Sequence, residues 1–215
     1  MIDVSGKALD VAGRALDELG DIEVERHETT YESGLSEVAG KPPAGGRTLV
    51  LFLGSNIGNF DRPGAEEFLC TIRAALQPGD TLLLGADLVK PEADLLLAYD
   101  DPLGVTAAFN LNLLVRINRE LGGDFDLQAF AHQAVWNAAA SRVEMHLVSR
   151  RRQRVRVASA RIDMEMEKGE TIWKESSYKY QPEELATLLG HTGFRPIERW
   201  VAAEARFALT LARAD

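Results

Sequence analysis

The residues best suited to binding chemistry follow a short apolar run, Leu49–Leu53. Gly54 and Gly58 come after it, and a glycine lets the backbone approach a ligand closely. Asn59 adds a side chain that both donates and accepts hydrogen bonds. An apolar run bounded by glycines is typical of a buried parallel strand, and ligands of open α/β sheets bind where such strands end. A plain turn from strand to helix would have the same spacing, so the spacing leaves both interpretations open.

The segment Phe52–Phe60 closely resembles the FLG-S/G-x-IGN-F/L segment of the histidine-specific, S-adenosylmethionine-dependent methyltransferases of ergothioneine biosynthesis. Further matches to that family follow in order: Ile2–Ser5, Gly85–Lys90, Ala98–Asp101, Phe109–Asn110, Ile117–Leu121, Val135–Asn137, Glu144–Leu147 and Glu175–Tyr180. Because this series runs from end to end of the chain, the resemblance is specific. It implies an enzyme that transfers methyl groups from S-adenosylmethionine to the α-amino group of histidine, giving trimethylhistidine (hercynine).

The resemblance also implies which residues hold the substrate. Asn59 and Tyr99 would bind the amino and carboxylate end of histidine. Glu175 and Ser177 would form hydrogen bonds with the imidazole ring, with Met145 packed nearby. Carboxylate, amide and hydroxyl groups supply the mixture of donors and acceptors that a zwitterion needs. Without the resemblance, Glu175 would be read as a solvated strand residue and Tyr99 as the start of a loop.

For the cofactor, Asp3 matches the acidic residue that binds the adenosine ribose in this class of enzyme. Thr30 and Tyr31 match the pair beside the adenine less closely, and Gly54 belongs to the loop after the apolar strand. The resemblance covers only the later two-thirds of the family chain. The family's first strand, its glycine-rich loop and an N-terminal helical segment have no counterpart in this sequence.

The first strand is central in the usual sheet of these enzymes, so its absence would leave two sheet pieces with unpaired edges facing each other. We therefore expect either a fragment of a longer enzyme, or a chain that rebuilds the strand by rearrangement or by exchange with another copy. Possible partners are accordingly a second copy or another chain, bound through these edges, besides the small-molecule substrate histidine.

The elements that must position the site begin as an α/β chain. The pattern predicts a helix capped by Ser5 and ended by Gly20, a strand at Ile22–Glu25, a turn at Pro42–Gly46, a helix near Pro63–Leu76 and a strand at Thr81–Ala86. Strands separated by helices of this length are typical of a parallel sheet. Near the C-terminus, a helix from Gln181 and two apolar stretches, Ile197–Val201 and Phe207–Leu211, would complete that sheet with an antiparallel pair.

From Pro91 the pattern changes. A helix with Val105, Phe109, Leu113, Ile117 and Leu121 at intervals of four is followed by alternating segments typical of antiparallel strands. We predict a class I methyltransferase-like (Rossmann-like) α/β sheet lacking its first strand, formed by residues 1–90 and 178–215, with an inserted α+β substrate-binding domain at 91–177. The methionines of that insertion are predicted to fill its core.

Composition excludes several classes of protein. The net charge is −9, which argues against nucleic acid as a partner, because phosphate binding needs concentrated positive charge. In the basic run Arg150–Arg156, Arg154 and Arg156 alternate with Val155 and Val157, which predicts a strand with one solvated face in preference to a phosphate-binding patch. No run reaches the roughly 20 apolar residues of a membrane helix, and Met1–Val4 does not resemble a signal peptide, so we expect a cytoplasmic protein with no membrane partner. The lone Cys70, predicted to be a small core residue, excludes an intrachain disulfide and a cysteine-rich metal site.

Two other functions remain open at this stage. The chain could be a catalytically inert binding or interaction protein, which the missing glycine-rich loop favours. It could also be a methyltransferase that acts on another small amine or amino acid. Joint presence of Asn59, Tyr99, Glu175 and Ser177 favours retained histidine chemistry.

Overall fold

The structure, a computed structural model, describes residues 1–39 and 46–215. The predicted turn at Pro42–Gly46 therefore lies, apart from Gly46, outside the described residues. The first part of the chain contains β1 (Ile2–Asp3), α1 (Gly6–Asp17), β2 (His27–Glu28), α2 (Tyr31–Val38), β3 (Leu49–Phe52), α3 (Arg62–Ala75) and β4 (Thr81–Asp87). None of the helices in the described ranges is long and apolar enough to cross a membrane.

The middle of the chain contains two helices and five strands: α4 (Glu92–Tyr99), α5 (Val105–Leu121), β5 (Phe130–Asn137), β6 (Arg142–Ser149), β7 (Gln153–Val157), β8 (Ile162–Met166) and β9 (Thr171–Tyr178). The last part contains α6 (Pro182–His191), β10 (Phe194–Ala202) and β11 (Phe207–Ala214).

The main sheet has the strand order β10-β11-β4-β3. β3 and β4 are parallel, while β11 pairs antiparallel with both β4 and β10, as the two C-terminal apolar stretches predicted. β1 and β2 form a separate parallel pair that is not hydrogen-bonded to the main sheet, and the middle strands form two further sheets, β5-β6-β9 and β7-β8. This arrangement confirms the predicted α/β class and the predicted break in the sheet.

One face of the main sheet packs against helices. Phe52, Leu82 and Leu84 are buried there against Phe68 and Leu69 of α3, and the rings of Phe52 and Phe68 lie 4.8 Å apart. The same cluster takes in residues of α6, β10 and β11, so the two ends of the chain share one core.

The opposite face of the main sheet is open, and this corrects the prediction that Leu49–Leu53 is a buried strand. Leu51 is 57% exposed, and Leu49 and Leu53 are exposed beside it. β3 is an edge strand, and no strand of residues 1–39 and 46–215 pairs with its outer side. The run is apolar on both faces of β3, but in this structure only the face with Phe52 is covered by other residues.

Two smaller predictions were wrong. The strand expected at Ile22–Glu25 forms at His27–Glu28, because these residues lie in register with Ile2 and Asp3 of β1. Cys70 is exposed, because Leu69 and Ile72 occupy the core side of α3. The helix predicted from apolar residues at intervals of four is confirmed as α5, although Phe109 of that stripe is 65% exposed, whereas Asn110 and Leu114 are fully buried. A spacing of four drifts around a helix of 3.6 residues per turn.

The middle segment has a second hydrophobic cluster of its own, formed by α5 and strands β5 to β8 with Leu114, Phe130, Leu147 and Val155 among its members. Met166 is buried in it and Met164 packs against it, which confirms the predicted core role for these two methionines. Arg154 and Arg156 of β7 are exposed and contact Asp163 of β8, as expected for a solvated strand face. The division into domains at residues 91 and 177 remains a prediction.

Candidate functional site

The loop after β3 carries Asn59 to the middle segment. Residues Asn56–Asn59 form a single 3-10 turn, entered through Gly54 and Ser55 in the left-handed region at φ 73° and 62°. The Ser55 Oγ accepts a hydrogen bond of 2.9 Å from the backbone N–H of Asp87, which fixes the loop to the end of β4. Two neighbouring strand ends of the sheet are thus held together.

Gly58 allows this loop to touch β9. A Cβ atom at position 58 would lie 2.7 Å from the carbonyl oxygen of Tyr178, closer than real contacts allow. The hydroxyl of Tyr180 also donates to the carbonyl of Ile57 at 3.3 Å. The close approach predicted for Gly58 is therefore made to the chain's own backbone, and it brings Asn59 beside the strand that carries Glu175 and Ser177.

Strands β6 and β9 supply one wall of the site. Glu175 and Ser177 are two residues apart on β9, so their side chains leave the same face of the strand. Met145 of β6 lies opposite Glu175 in the antiparallel register, next to an irregularity between Met145 and His146. Met145 itself is buried.

Tyr99 reaches the site from the last turn of α4. Its carbonyl oxygen accepts a 2.7 Å hydrogen bond from Nε2 of His132, whose Nδ1 lies 3.1 Å from Nδ2 of the buried Asn110. Because a carbonyl only accepts, His132 carries its proton on Nε2 and accepts from Asn110. The phenol oxygen of Tyr99 lies 2.8 Å from Ser177 Oγ.

All five residues predicted to hold the substrate line one cavity. Its volume is about 210 Å³, and its lining consists of Asn59, Ala98, Tyr99, Thr106, Phe109, Met145, Glu175 and Ser177. A shallower hollow next to it shares Asn59 and Glu175 and adds Trp173, Lys174 and Ser176. The cavity is smaller than the roughly 300–1,000 Å³ typical of sites for drug-sized ligands, which suits a small amino acid.

Two lysines lie close to the cavity and form ion pairs with acidic residues. Lys174 lies 2.7 Å from Glu175 Oε2 and 4.4 Å from the centre of the Phe109 ring, so it bridges the acidic residue and α5 at the rim. Lys179 is buried behind Tyr99 and Ser177 and forms an ion pair of 2.9 Å with Asp87. The opposite charges of Asp87 and Lys179 compensate each other where water is largely excluded.

Asp101 holds the helix that contributes Thr106 and Phe109. Its carboxylate accepts hydrogen bonds from the backbone N–H groups of Thr106 at 2.7 Å and Val105 at 3.0 Å, both in the first turn of α5. These bonds, that of Thr106 first, lower the pKa of Asp101 from 3.8 to about 2. Asp101 thus caps α5 as an anion.

Replacing Asp101 by alanine should lower the melting temperature by about 2–4 °C, because the first turn of α5 loses its cap. In the wild type, the stabilising effect of the anion is present above the ordinary pKa of 3.8 and is lost as the pH falls through about 2, since the folded-state pKa is depressed. Thermal scans between pH 2 and 7 check both statements. Asp100→Ala is the matched control, and an equal loss of melting temperature in both variants would contradict the capping role.

The residues predicted to hold the cofactor are less concentrated. Tyr31 lines a groove of about 700 Å³ between β1 and β3, together with Ile2, Val50 and Phe52. Burial, and after it the negative charge of Asp3, raises the pKa of Tyr31, so Asp3 lies near this phenol at the end of β1. The described lining of the groove does not include Asp3, Thr30 or Gly54.

These residues nevertheless fit part of S-adenosylmethionine. Asp3 Oδ1 accepts a 2.8 Å bond from the Ser5 N–H, and a strand-end carboxylate of this kind suits the two hydroxyls of a ribose. A Cβ at Gly54 would meet a single neighbouring atom, Asn56 Nδ2 at 4.0 Å, so that backbone can be approached. Thr30 caps α2 by accepting from the Ser33 N–H. Its predicted place beside the adenine stays a prediction.

Sequence reasoning missed Lys179, Thr106 and the site role of Phe109. Lys179 continues the alternation of Glu175 and Ser177 and lies inside the matched segment Glu175–Tyr180, so the period of two could have identified it. The spacing of four places Phe109 in the apolar stripe predicted for α5. The exposure of that stripe depends on how α5 packs, which the spacing alone does not show.

The chain is similar to known proteins over most of its length. The profile of a family described as "Histidine-specific methyltransferase, SAM-dependent" matches residues 1–214. Histidine N-alpha-methyltransferase of Mycolicibacterium smegmatis is 48% identical over 176 residues, which are 82% of this chain and 55% of that protein. The enzyme of the same name from Mycobacterium tuberculosis is 45% identical over 182 residues, covering 85% of this chain and 56% of that protein.

A more distant relative is Ergothioneine biosynthesis protein 1 of Neurospora crassa, 28% identical over 185 residues, which are 80% of this chain and 19% of that protein. The chain spans about half the length of the two mycobacterial relatives. Since the family profile covers almost all of its residues, the chain belongs to the family of histidine-specific, S-adenosylmethionine-dependent methyltransferases.

Proposed function

We propose that this chain binds histidine and takes part in its methylation at the α-amino group, giving trimethylhistidine (hercynine) for ergothioneine biosynthesis. The observation that carries the proposal is the convergence of Asn59, Tyr99, Met145, Glu175 and Ser177 on one cavity of about 210 Å³. Identities of 48% and 45% to two histidine N-alpha-methyltransferases support the same substrate. Bound S-adenosylmethionine would supply an electrophilic methyl group.

The chain's own residues would bind and orient the substrate. Glu175 can accept the imidazole N–H, and Ser177 can contact the other ring nitrogen. Asn59 and Tyr99 are placed to hold the amino and carboxylate groups. Methyl transfer needs a neutral amine about 3–3.5 Å from the methyl carbon and in line with the breaking bond, so positioning supplies most of the rate. None of these steps requires a covalent bond between the chain and its substrate.

A methyl-transfer assay tests the proposal. The full chain is incubated with labelled S-adenosylmethionine and a panel of amino acids that includes histidine, tryptophan and simple amines. We expect label to appear on histidine and to be lost in Glu175→Ala. Transfer to another amine but not to histidine, or no binding of histidine in calorimetry, would contradict the proposal.

The open face of the main sheet also supports self-association of the chain. Leu51, Leu83 and Leu211 lie side by side across β3, β4 and β11, and Leu51 is 57% exposed. A contiguous apolar face of this kind is typical of an interaction surface. We propose that a second copy can cover it.

Light scattering over a range of concentrations should therefore show reversible association of the 215-residue chain. Leu51→Lys should shift the equilibrium towards monomer by about 10-fold or more, because it introduces a charge into the apolar face. Leu103→Lys is the control, since Leu103 is 89% exposed and lies in the loop before α5. A wild-type chain that stays monomeric at every concentration would contradict this part of the proposal.

A further inference from the structure

A buried lysine lies behind the wall of the cavity that Tyr99 and Ser177 form. Lys179 is 1% exposed, and its Nζ lies 2.7 Å from Tyr99 Oη, 3.0 Å from Ser177 Oγ and 2.9 Å from Asp87 Oδ2. An ammonium group has three N–H donors and no acceptor, so these contacts use all of its hydrogen-bonding capacity. Lys179 is not part of the cavity lining and can affect a ligand only through the groups it contacts.

The direction of the remaining hydrogen bonds follows from this arrangement. The hydroxyl oxygens of Tyr99 and Ser177 both accept a hydrogen bond from Lys179, so neither hydroxyl proton can point towards the ammonium group. The two hydroxyls also share one bond of 2.8 Å between Tyr99 Oη and Ser177 Oγ. One of the two hydroxyl protons fills that bond, and the other is left for the cavity. A phenol is the stronger donor of the two, so Tyr99 donates and the proton of Ser177 remains.

We infer that Lys179 is a positioning residue that makes Ser177 a hydrogen-bond donor to the substrate ring, and that this selects rings with an unprotonated nitrogen on that side. The inference rests on the proposed binding of histidine in this cavity. With Glu175 as an acceptor and Ser177 as a donor, the wall complements a ring that has one N–H and one bare nitrogen. Neutral imidazole has this pattern, whereas imidazolium has two N–H groups.

Asp87 keeps the lysine in place. It is the last residue of β4, and its second carboxylate oxygen lies 2.7 Å from Nζ of Lys90, which also donates to the carbonyl of Ala205. Asp87 thus joins two lysines, of which Lys179 alone reaches Tyr99 and Ser177. Lys90 therefore offers a matched control within the same ion-pair network.

The test measures how much the full chain prefers a ring nitrogen over a CH group. The competing ligands are two isomers of thiazolylalanine, which differ in the position of the ring nitrogen. Each isomer is paired with the thienylalanine that has a CH group in place of that nitrogen. In the wild type, we expect the better thiazolylalanine to compete with histidine about 10-fold more strongly than its thienyl counterpart. In Lys179→Met this preference should fall to about 2-fold or less, because Ser177 is no longer held as a donor.

A double-mutant cycle separates this role from a general loss of structure. Ser177→Ala should abolish the preference, and adding Lys179→Met to Ser177→Ala should change it no further. Lys90→Met should keep the wild-type preference. Lys179→Met alone leaves the carboxylate of Asp87 without this partner and can destabilise the fold. The double variant Asp87→Asn/Lys179→Met removes both charges and avoids this problem. Near-ultraviolet circular dichroism checks that each variant is folded.

The possible outcomes are distinct. A preference that survives in Lys179→Met and in the doubly neutral variant would overturn the inference, while histidine methylation by the wild type would leave the proposed function intact. A loss of equal size in Lys90→Met would also overturn it. Failure of the wild type to bind histidine would contradict the proposed function itself.

Discussion

Replacing Glu175 with alanine should lower kcat/KM for histidine by about 10- to 100-fold, because a charge-assisted hydrogen bond to the imidazole is lost in a partly enclosed cavity. Glu175 lines both the cavity and the hollow beside it. Its loss would also leave Lys174, now 2.7 Å from the carboxylate, without that partner. The wall of the cavity would change from acidic to basic and would disfavour any ring that donates an N–H.

The size of the loss should depend on the ring of the ligand. Glu175→Gln keeps an oxygen that accepts a hydrogen bond and should retain more activity than Glu175→Ala. Affinity for an analogue without a ring N–H, such as thienylalanine, should hardly change in either variant. Steady-state kinetics with histidine and competition with the analogue measure both effects.

The control for Glu175 is Glu165→Ala. Glu165 is an exposed strand residue of β8 that contacts Arg152 at 2.8 Å, away from the cavity lining. The substitution Glu165→Ala should leave kcat/KM for histidine unchanged. Equal losses for histidine and for the analogue in Glu175→Ala would show that Glu175 supports the fold of the site and does not recognise the ring.

Changing Asn59 to aspartate should raise KM for histidine by about 10- to 100-fold. The substitution preserves size but removes both amide donors, and it adds a second carboxylate to a cavity that already contains Glu175. Like charges repel each other and repel the carboxylate of the substrate. Asn59 is exposed and lines the cavity, so its amide is available to a ligand.

Asn56→Asp is the matched control for this prediction. Asn56 lies in the same 3-10 turn, but its Nδ2 donates 3.1 Å to the carbonyl of Leu53 and it does not line the cavity. Kinetic constants and thermal scans of the two variants distinguish substrate binding from loop stability. Unchanged KM in Asn59→Asp, or a rise of the same size in Asn56→Asp, would contradict the assigned role.

Local chemistry predicted much of the fold correctly. Ser5 caps α1, as its residue type and position predicted, because caps depend on neighbouring residues. The alternation of Arg154 with Val155 likewise identified a strand with one solvated face. The burial of Leu51 and the orientation of α5 were not predictable in this way, because they depend on which elements pack alongside.

In the candidate site, too, some features were predictable from the sequence and others depend on how the elements pack. Matched segments named Asn59, Tyr99, Met145, Glu175 and Ser177, and the structure brings all five to one cavity. The loop that carries Asn59 is joined to the strand of Glu175, 116 residues later, by the close approach of Gly58 to the backbone of Tyr178 and by the hydrogen bond from Tyr180 to the carbonyl of Ile57. The alternation along the chain could have placed Lys179 beside Ser177, but it does not show the contacts with Tyr99 and Asp87, which come from other elements.

A crystal structure of the full chain with bound histidine is the most direct test of the central claim that this cavity recognises histidine. We predict the imidazole ring between the Glu175 carboxylate and the Ser177 hydroxyl, with the amino and carboxylate groups towards Asn59 and Tyr99. Histidine bound at another place, or bound here with its ring turned away from Glu175, would contradict the account.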